Sequence, residues 1–446
     1  METVQNVWSK TKLLVKALVI GMIILVLQIP AFYVKQLIEE REARQKEAIA
    51  EVSGRWANKQ NLAGPLLVLP YYDFIPDSAS NKQPVKNLAY FLPEELKINS
   101  EISPEEKYRG IYKVLLYTSK HQLKGHFGGV SPEKLGIRPE QILWNEAFLK
   151  ISIADTKGLN EDVQLNWKQS PLAVTTDAPS PASPEEGVYA ALPLAGPEDL
   201  MKADFDIKLS LSGSEQLLFT PVGKSTSVSL KAQWPHPSFT GDILPVTSDI
   251  KKDSFTAQWK SVAQKRGFPQ QWKNDAFNIS PLHPSGVVIP NNLANSAFGA
   301  NLFVPVNDYQ KTMRSIKYAA LCILLTFAAF FIMETTNKKS VHPFQYGLIG
   351  LALILFYTLL LSFSEYVGFN ISYVIAALCT IGLITWFVKG ILDSSRFSMI
   401  LSVILMLVYT YVFTILQLQD YSLILGSIGL FITLGVIMHF SKKIQW

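Results

Sequence analysis

The sequence predicts a multi-pass α-helical membrane protein carrying a mainly-β extracytoplasmic domain, antiparallel and sandwich-like or rolled. Three observations lead there. Six apolar runs stand in the chain, one near the N-terminus and five in the last third. Between them lies a long polar stretch whose clearest segments alternate apolar and polar residues with period two. Lys and Arg recur in alternate short loops of the last third and are missing from the loops between.

The first run, residues 13–29, is interrupted only by Lys16. It is longer than a usual signal core, and Gln28-Ile29-Pro30-Ala31-Phe32 offers no pair of small residues at cleavage spacing. It therefore reads as a retained anchor. Residues 35–58 are dense in helix formers, with Leu37, Ile38, Arg41, Ala48, Ile49 and Val52 at mostly helical spacing. They predict a helix that continues out of the anchor with a solvated face.

After Gly64-Pro65 strands take over. In residues 202–211, Ala203, Phe205, Ile207, Leu209 and Leu211 alternate with polar residues, as a half-buried strand requires. Val228, Leu230, Ala232 and Trp234 repeat the pattern, and Phe255, Ala257 and Trp259 do so again. Weaker strands are expected at 66–74, 88–91, 111–117, 163–167 and 302–306. Turn residues punctuate them, as in Thr220-Pro-Val-Gly223. Residues 178–186 form a Pro/Ser-rich loop or a boundary between two sub-domains.

The C-terminal runs cover residues 316–333, 345–363, 371–388, 398–416 and 422–440, each close to the ~20 residues that cross a bilayer. Lys338, Lys339, Lys389, Arg396, Lys442 and Lys443 fall in alternate loops and the tail, whereas 364–370 and 417–421 hold no Lys or Arg. That side is expected to be cytoplasmic. Six spans return the N-terminus to the same side, in agreement with Lys10, Lys12 and Lys16. The predicted layout is a cytoplasmic N-terminus and anchor (1–33), a periplasmic β domain (34–315) and a five-helix bundle (316–446).

Composition agrees. A hydrophobic share of 48% and a mean hydropathy of +0.18 average a membrane half with a soluble one. A net charge of +5 gives no bulk basis for nucleic-acid binding. Both cysteines, Cys322 and Cys379, lie in apolar runs as small hydrophobic residues.

No catalytic motif, cofactor motif or metal set appears. His121 and His126, five apart in a strand-like stretch, point to opposite faces and cannot share a metal. The most distinctive segment holds Trp234, Pro235, His236, Pro237, Ser238, Phe239, Gly241 and Asp242. Two prolines around His236 predict a rigid loop leaving a strand. Trp234 and Phe239 are expected to plug the core there and Gly241 to permit a tight turn. The chemical alternative makes His236 and Asp242 a proton-transfer or ligand-binding pair. In the apolar third, Glu334, His342 and Glu365 lie at loops, as polar residues of the membrane interface. Run centres are uncharged, so ion-coupled transport has little to use, and changing either Glu to Gln is expected to matter little.

The segment from Trp234 to Pro245 resembles the CreD family of bacterial inner-membrane proteins, also called cell envelope integrity proteins. A second block supports the resemblance: Lys317-Tyr318-Ala319, Leu324-Leu325-Thr326-Phe327, Phe330-Phe331, Glu334, His342-Pro343, Gln345-Tyr346, Gly350-Leu351, Phe356-Tyr357 and Ser364-Glu365. Gly64-Pro65 with Val68 and Pro70 also fits, while Ile243 stands where the family pattern has an aromatic residue. The resemblance implies a Gram-negative inner-membrane protein linked to envelope stress, a two-component system and the response to cell-wall antibiotics. It implies no reaction and no cofactor. The expected partners are the lipid bilayer and an envelope component or membrane protein. Two other readings stand beside this one: a transporter or flippase of an amphiphile, and an envelope enzyme using His236 and Asp242.

Overall fold

The computed structural model describes residues 2–76, 82–179, 187–201, 203–279, 290–302, 308–337, 341–418 and, in part, 424–438. Two compact units form, Ala48–Pro305 and Met1–Glu47 with Val306–Trp446.

The first unit is the β domain. Its strands are β1 (Gln60–Pro76), β2 (Lys82–Phe91), β3 (Glu95–Arg109), β4 (Tyr112–Phe127), β5 (Phe148–Ile153), β6 (Gln164–Trp167), β7 (Ser170–Leu172) and β8 (Gly187–Ala191), followed by β9 (Ala203–Ser214), β10 (Gln216–Thr220), β11 (Ser225–Ala232), β12 (Pro237–Gly241), β13 (Thr247–Ile250), β14 (Phe255–Val262), β15 (Gln271–Lys273) and β16 (Phe298–Leu302). One sheet runs β12-β16-β10-β1-β2-β15, with β5 joining β1 to β8. The other runs β13-β14-β11-β3-β4-β9-β6-β7. A single apolar core draws on both sheets.

The pairing is antiparallel-rich, as the alternation predicted. Two parallel pairings depart from it, β1 with β10 and β3 with β11. In β14 of the second sheet the period-two pattern places every residue: Phe255, Ala257 and Trp259 are buried while Thr256, Gln258 and Lys260 are exposed. The first sheet hides both faces of β5, which is buried throughout and includes Lys150. Its sequence still alternates, Leu149, Ile151 and Ile153 with Lys150 and Ser152, but neither face is wet. Both sheets take strands from either side of 180–186, residues outside those described.

Two polar hubs lock the loops. Buried Asp155 accepts from the backbone and side-chain nitrogens of Asn58 (3.0 and 2.8 Å) and from the Lys157 N–H. The Arg266 guanidinium donates to the carbonyls of Pro221, Val222 and Gly223 at 3.0, 2.6 and 3.1 Å. Burial pulls its pKa down to about 10, so it stays charged and gathers the predicted turn around itself.

The second unit is helical: α1 (Glu2–Trp56), α2 (Asp308–Ile316), α3 (Ala319–Asn337), α4 (Pro343–Val367), α5 (Phe369–Leu392) and α6 (Ser395–Gln417). Anchor and following helix are one continuous α1, as expected. Among the described residues four helices are long and apolar enough to cross a membrane, or five if the bent pair α2 and α3 counts as one span. The run at 316–333 lies in α3 from Ala319 onward, and its first residues fall at a break: a turn from the Tyr318 N–H to the Ser315 carbonyl separates α2 from α3, bent by 44°. Lys317 is exposed at that break. The run at 422–440 lies largely outside the described residues. On α1, Ile20, Leu27, Ala31 and Ile38 are buried, while Leu18, Leu25 and Tyr33 are exposed as a lipid-facing surface would be. Gly350 of α4 makes room for this helix, since a Cβ there would sit 2.1 Å from Leu27 Cδ1.

Candidate functional site

The Trp-Pro-His-Pro segment is less of a loop than the prolines predicted. β11 ends at Ala232, and Pro237–Gly241 form edge strand β12 against β16. Pro237 opens that strand at the border of the sheet, where a missing N–H costs no ladder bond. Trp234 therefore lies past the end of β11 and is half-buried against the core rather than inside it. Phe239 is likewise half-buried, packing edge-on against Phe255 and Trp259 at centroid distances of 5.9 and 5.6 Å. Gly241 does make the tight passage, with φ of 102° and the Ala297 carbonyl 2.2 Å from where a Cβ would lie. Pro235 and Ser238 stay at the rim. His236 and Asp242 are both exposed, and among the described residues no hydrogen bond or ion pair joins them. Phe239→Ala and Trp234→Ala should each cost about 1–3 kcal/mol in denaturant unfolding, and His236→Ala and Asp242→Asn within about 0.5 kcal/mol. Loss of cellular function in the latter pair, with normal unfolding curves, would instead mark an active site.

Within the helical unit the polar residues come together in two clusters. Glu334 near the end of α3 is buried, not exposed at an interface. Its carboxylate pairs with Lys16 of α1 and accepts from the Val341 N–H at 2.7 Å and the Tyr346 hydroxyl at 2.8 Å. Lys16 Nζ also donates to the Val341 carbonyl at 2.7 Å. His342 does remain exposed, as the N-cap of α4, with Nδ1 accepting from the Phe344 N–H. At the other end of α4, Glu365 accepts from the Tyr309 hydroxyl at 3.0 Å and lies 3.9 Å from Arg41 Nε of α1. Each Glu thus meets a basic residue of α1 and a tyrosine. The sequence holds a signal for the first cluster, since Lys16 and Glu334 are opposite charges at the ends of two apolar runs.

The β domain carries a cleft of about 540 Å³ on the outward face of the second sheet. Its floor follows the strand register. One row reads Lys231, Glu101, Lys120, Ser210 across β11, β3, β4 and β9; the next reads Ser229, Asn99, Gln122, Lys208 and continues to Gln164 of β6. Glu161 and Asp162, just before β6, complete the lining. Beneath the floor, on the core side, His121 bridges the hydroxyls of Ser100 and Ser119, each at 2.8 Å. Ser119 spends its proton on the Leu211 carbonyl, so His121 holds its own proton on Nε2 and accepts from Ser100 on Nδ1. Burial pushes the imidazole pKa down to about 3 and keeps it neutral, a tie between strands. His126 lies apart from it beside Glu95, and no metal-binding cluster occurs among the described residues. The cleft residues are the polar half of each alternating strand, a pattern that in sequence looks the same as a solvated face.

The chain matches the family described as "Inner membrane protein CreD" over residues 12–446. It is 29% identical over 431 residues to the inner membrane protein CreD of Escherichia coli (strain K12), covering 95% of this chain and 91% of that relative. The match includes both the Trp-Pro-His-Pro segment and the α3–α4 carboxylate cluster, and the chain belongs to the CreD family of inner membrane proteins.

Proposed function

We propose that the chain is a non-enzymatic envelope-integrity and stress-response protein of the bacterial inner membrane. Both termini are cytoplasmic, the β domain is periplasmic and binds an envelope component or a partner protein, and the helical unit anchors it and relays its state. The observation that carries this reading is the double attachment of α1 to α4. Lys16 meets the start of α4 and Arg41 meets its end, so the two helices run in the same direction. The two contacts are about 25 residues apart, or ~38 Å of helix, enough to flank a ~30 Å hydrocarbon core. Two helices running the same way need one return crossing between them, which α2 and α3 supply. Lys389 near the end of α5 and Arg396 at the start of α6 then fall on the side where α1 begins, the side basic residues favour. A reporter active only in the cytoplasm should work when fused after Lys339, Arg396 or Trp446 and stay silent after Val367 or Gln419. Activity after Val367 would overturn the arrangement.

A further inference from the structure

We propose that the cleft on the second sheet is a binding site for a short, zwitterionic peptide of three to five residues. This rests on the reading of the β domain as a binding domain and names the chemical class of its ligand. Charge is the first argument. Lys120, Lys208 and Lys231 face Glu101, Glu161 and Asp162 in one cleft. Among the described residues none of these six side chains makes a hydrogen bond or ion pair. Lysines just outside behave differently: Lys97 pairs with Glu95 at 2.6 Å and Lys124 with Asp206 at 3.4 Å. A polyanion would meet the three carboxylates and a polycation the three ammonium groups. A ligand bearing one charge of each sign satisfies both sets.

Geometry is the second argument. The acids Glu161 and Asp162 lie at the β6 side, while Lys120 and Lys231 stand two and four strands away. At ~4.8 Å per strand that separation is roughly 10–19 Å. An extended chain spans at most ~3.3–3.6 Å per residue, so three to five residues place an amino terminus and a carboxylate at the two ends. Between those ends the floor presents Asn99 and Gln164, whose amides both donate and accept as peptide bonds require, and Gln122, whose Nε2 donates to Asp206 and whose carbonyl can accept. The volume falls within the ~300–1,000 Å³ common to small-molecule sites.

The probe is tetraalanine, titrated by calorimetry into the purified full-length protein in detergent micelles. Blocking its amino terminus by acetylation, or its carboxylate as the amide, should each weaken binding about tenfold or more, the usual worth of a charged hydrogen bond. Lys120→Ala with Lys231→Ala should weaken the free peptide similarly yet leave the peptide amide little changed further. Glu161→Gln with Asp162→Asn should do the same for the acetylated form. Lys97→Ala, outside the cleft, should bind as the parent does. Equal binding of tetraalanine and its doubly blocked form, binding untouched by the cleft substitutions, or no heat of binding at millimolar peptide would each overturn the proposal. The readout does not depend on membrane orientation, so failure here with the expected reporter pattern removes the ligand class and leaves the topology standing.

Discussion

Trp259→Ala should bring the β domain close to unfolding at room temperature. The ring is fully buried at the centre of β14, stacked on Phe298 at 5.8 Å and met edge-on by Phe239 at 5.6 Å. It belongs to the core that joins both sheets. Truncating a large buried aromatic costs about 3–5 kcal/mol, against the ~5–15 kcal/mol that holds a typical domain together. Urea unfolding of the full-length protein in detergent, followed by near-ultraviolet circular dichroism, measures the shift. Trp259→Phe is the informative control. Among the described residues the indole N–H has no hydrogen-bond partner, so losing it removes an unmet donor while most of the packing stays. That change should cost less than about 1.5 kcal/mol. Equal midpoints for Trp259→Ala and the parent would show that the two sheets do not share this core.

Glu334→Gln should destabilise the helical unit severely, contrary to the expectation the sequence invites. Removing the charge leaves the Lys16 ammonium, only 18% exposed, without its counter-charge among apolar helices. Breaking a buried pair on one side typically costs about 3–5 kcal/mol. The double change Lys16→Met with Glu334→Gln should recover much of that, because no charge is then stranded. Glu365→Gln should be mild, within about 1 kcal/mol, since Arg41 is more than a third exposed and the pair is long at 3.9 Å. Thermal denaturation in detergent separates the two sites. Glu334→Gln melting with the parent would show the pair contributes nothing to holding α1 on α3.

What the sequence made legible follows where side-chain periodicity has a single cause. Strands with one wet face, such as β9 and β14, announce themselves by Phe205-x-Ile207-x-Leu209 and Phe255-x-Ala257-x-Trp259. The long apolar helices are equally plain. β5 is a different case: Leu149, Ile151 and Ile153 alternate with Lys150 and Ser152 over only six residues, yet all six are buried, so its alternation does not mark a wet face. β3 was missed although Leu96, Ile98 and Ile102 alternate cleanly, because Pro104 and a charged tail obscure its far end. The Trp234–Asp242 segment misled by its prolines, which mark a sheet edge as readily as a loop. The α1 ion pairs and the cleft floor were illegible for another reason. Each joins residues far apart in sequence, and only the register of strands or the packing of helices brings them together.

The parallel pairing of β1 with β10 also sets the order in which the β domain can fold. Gln60 cannot find Leu217 until roughly 160 further residues have been made. At the ~5–20 residues per second of synthesis, that is a wait of roughly 8–30 s. During that wait the start of β1, Gln60–Ala63, with the buried apolar Leu62 and Ala63, lacks its β10 neighbour, and an unpaired edge invites aggregation. β3 waits in the same way for β11. No N-terminal fragment ending before residue 225 can complete either sheet, so a ribosome stalled there displays a sticky half-domain. A chaperone that shields β1 and β3 during the wait would raise the yield of native protein without touching its final stability.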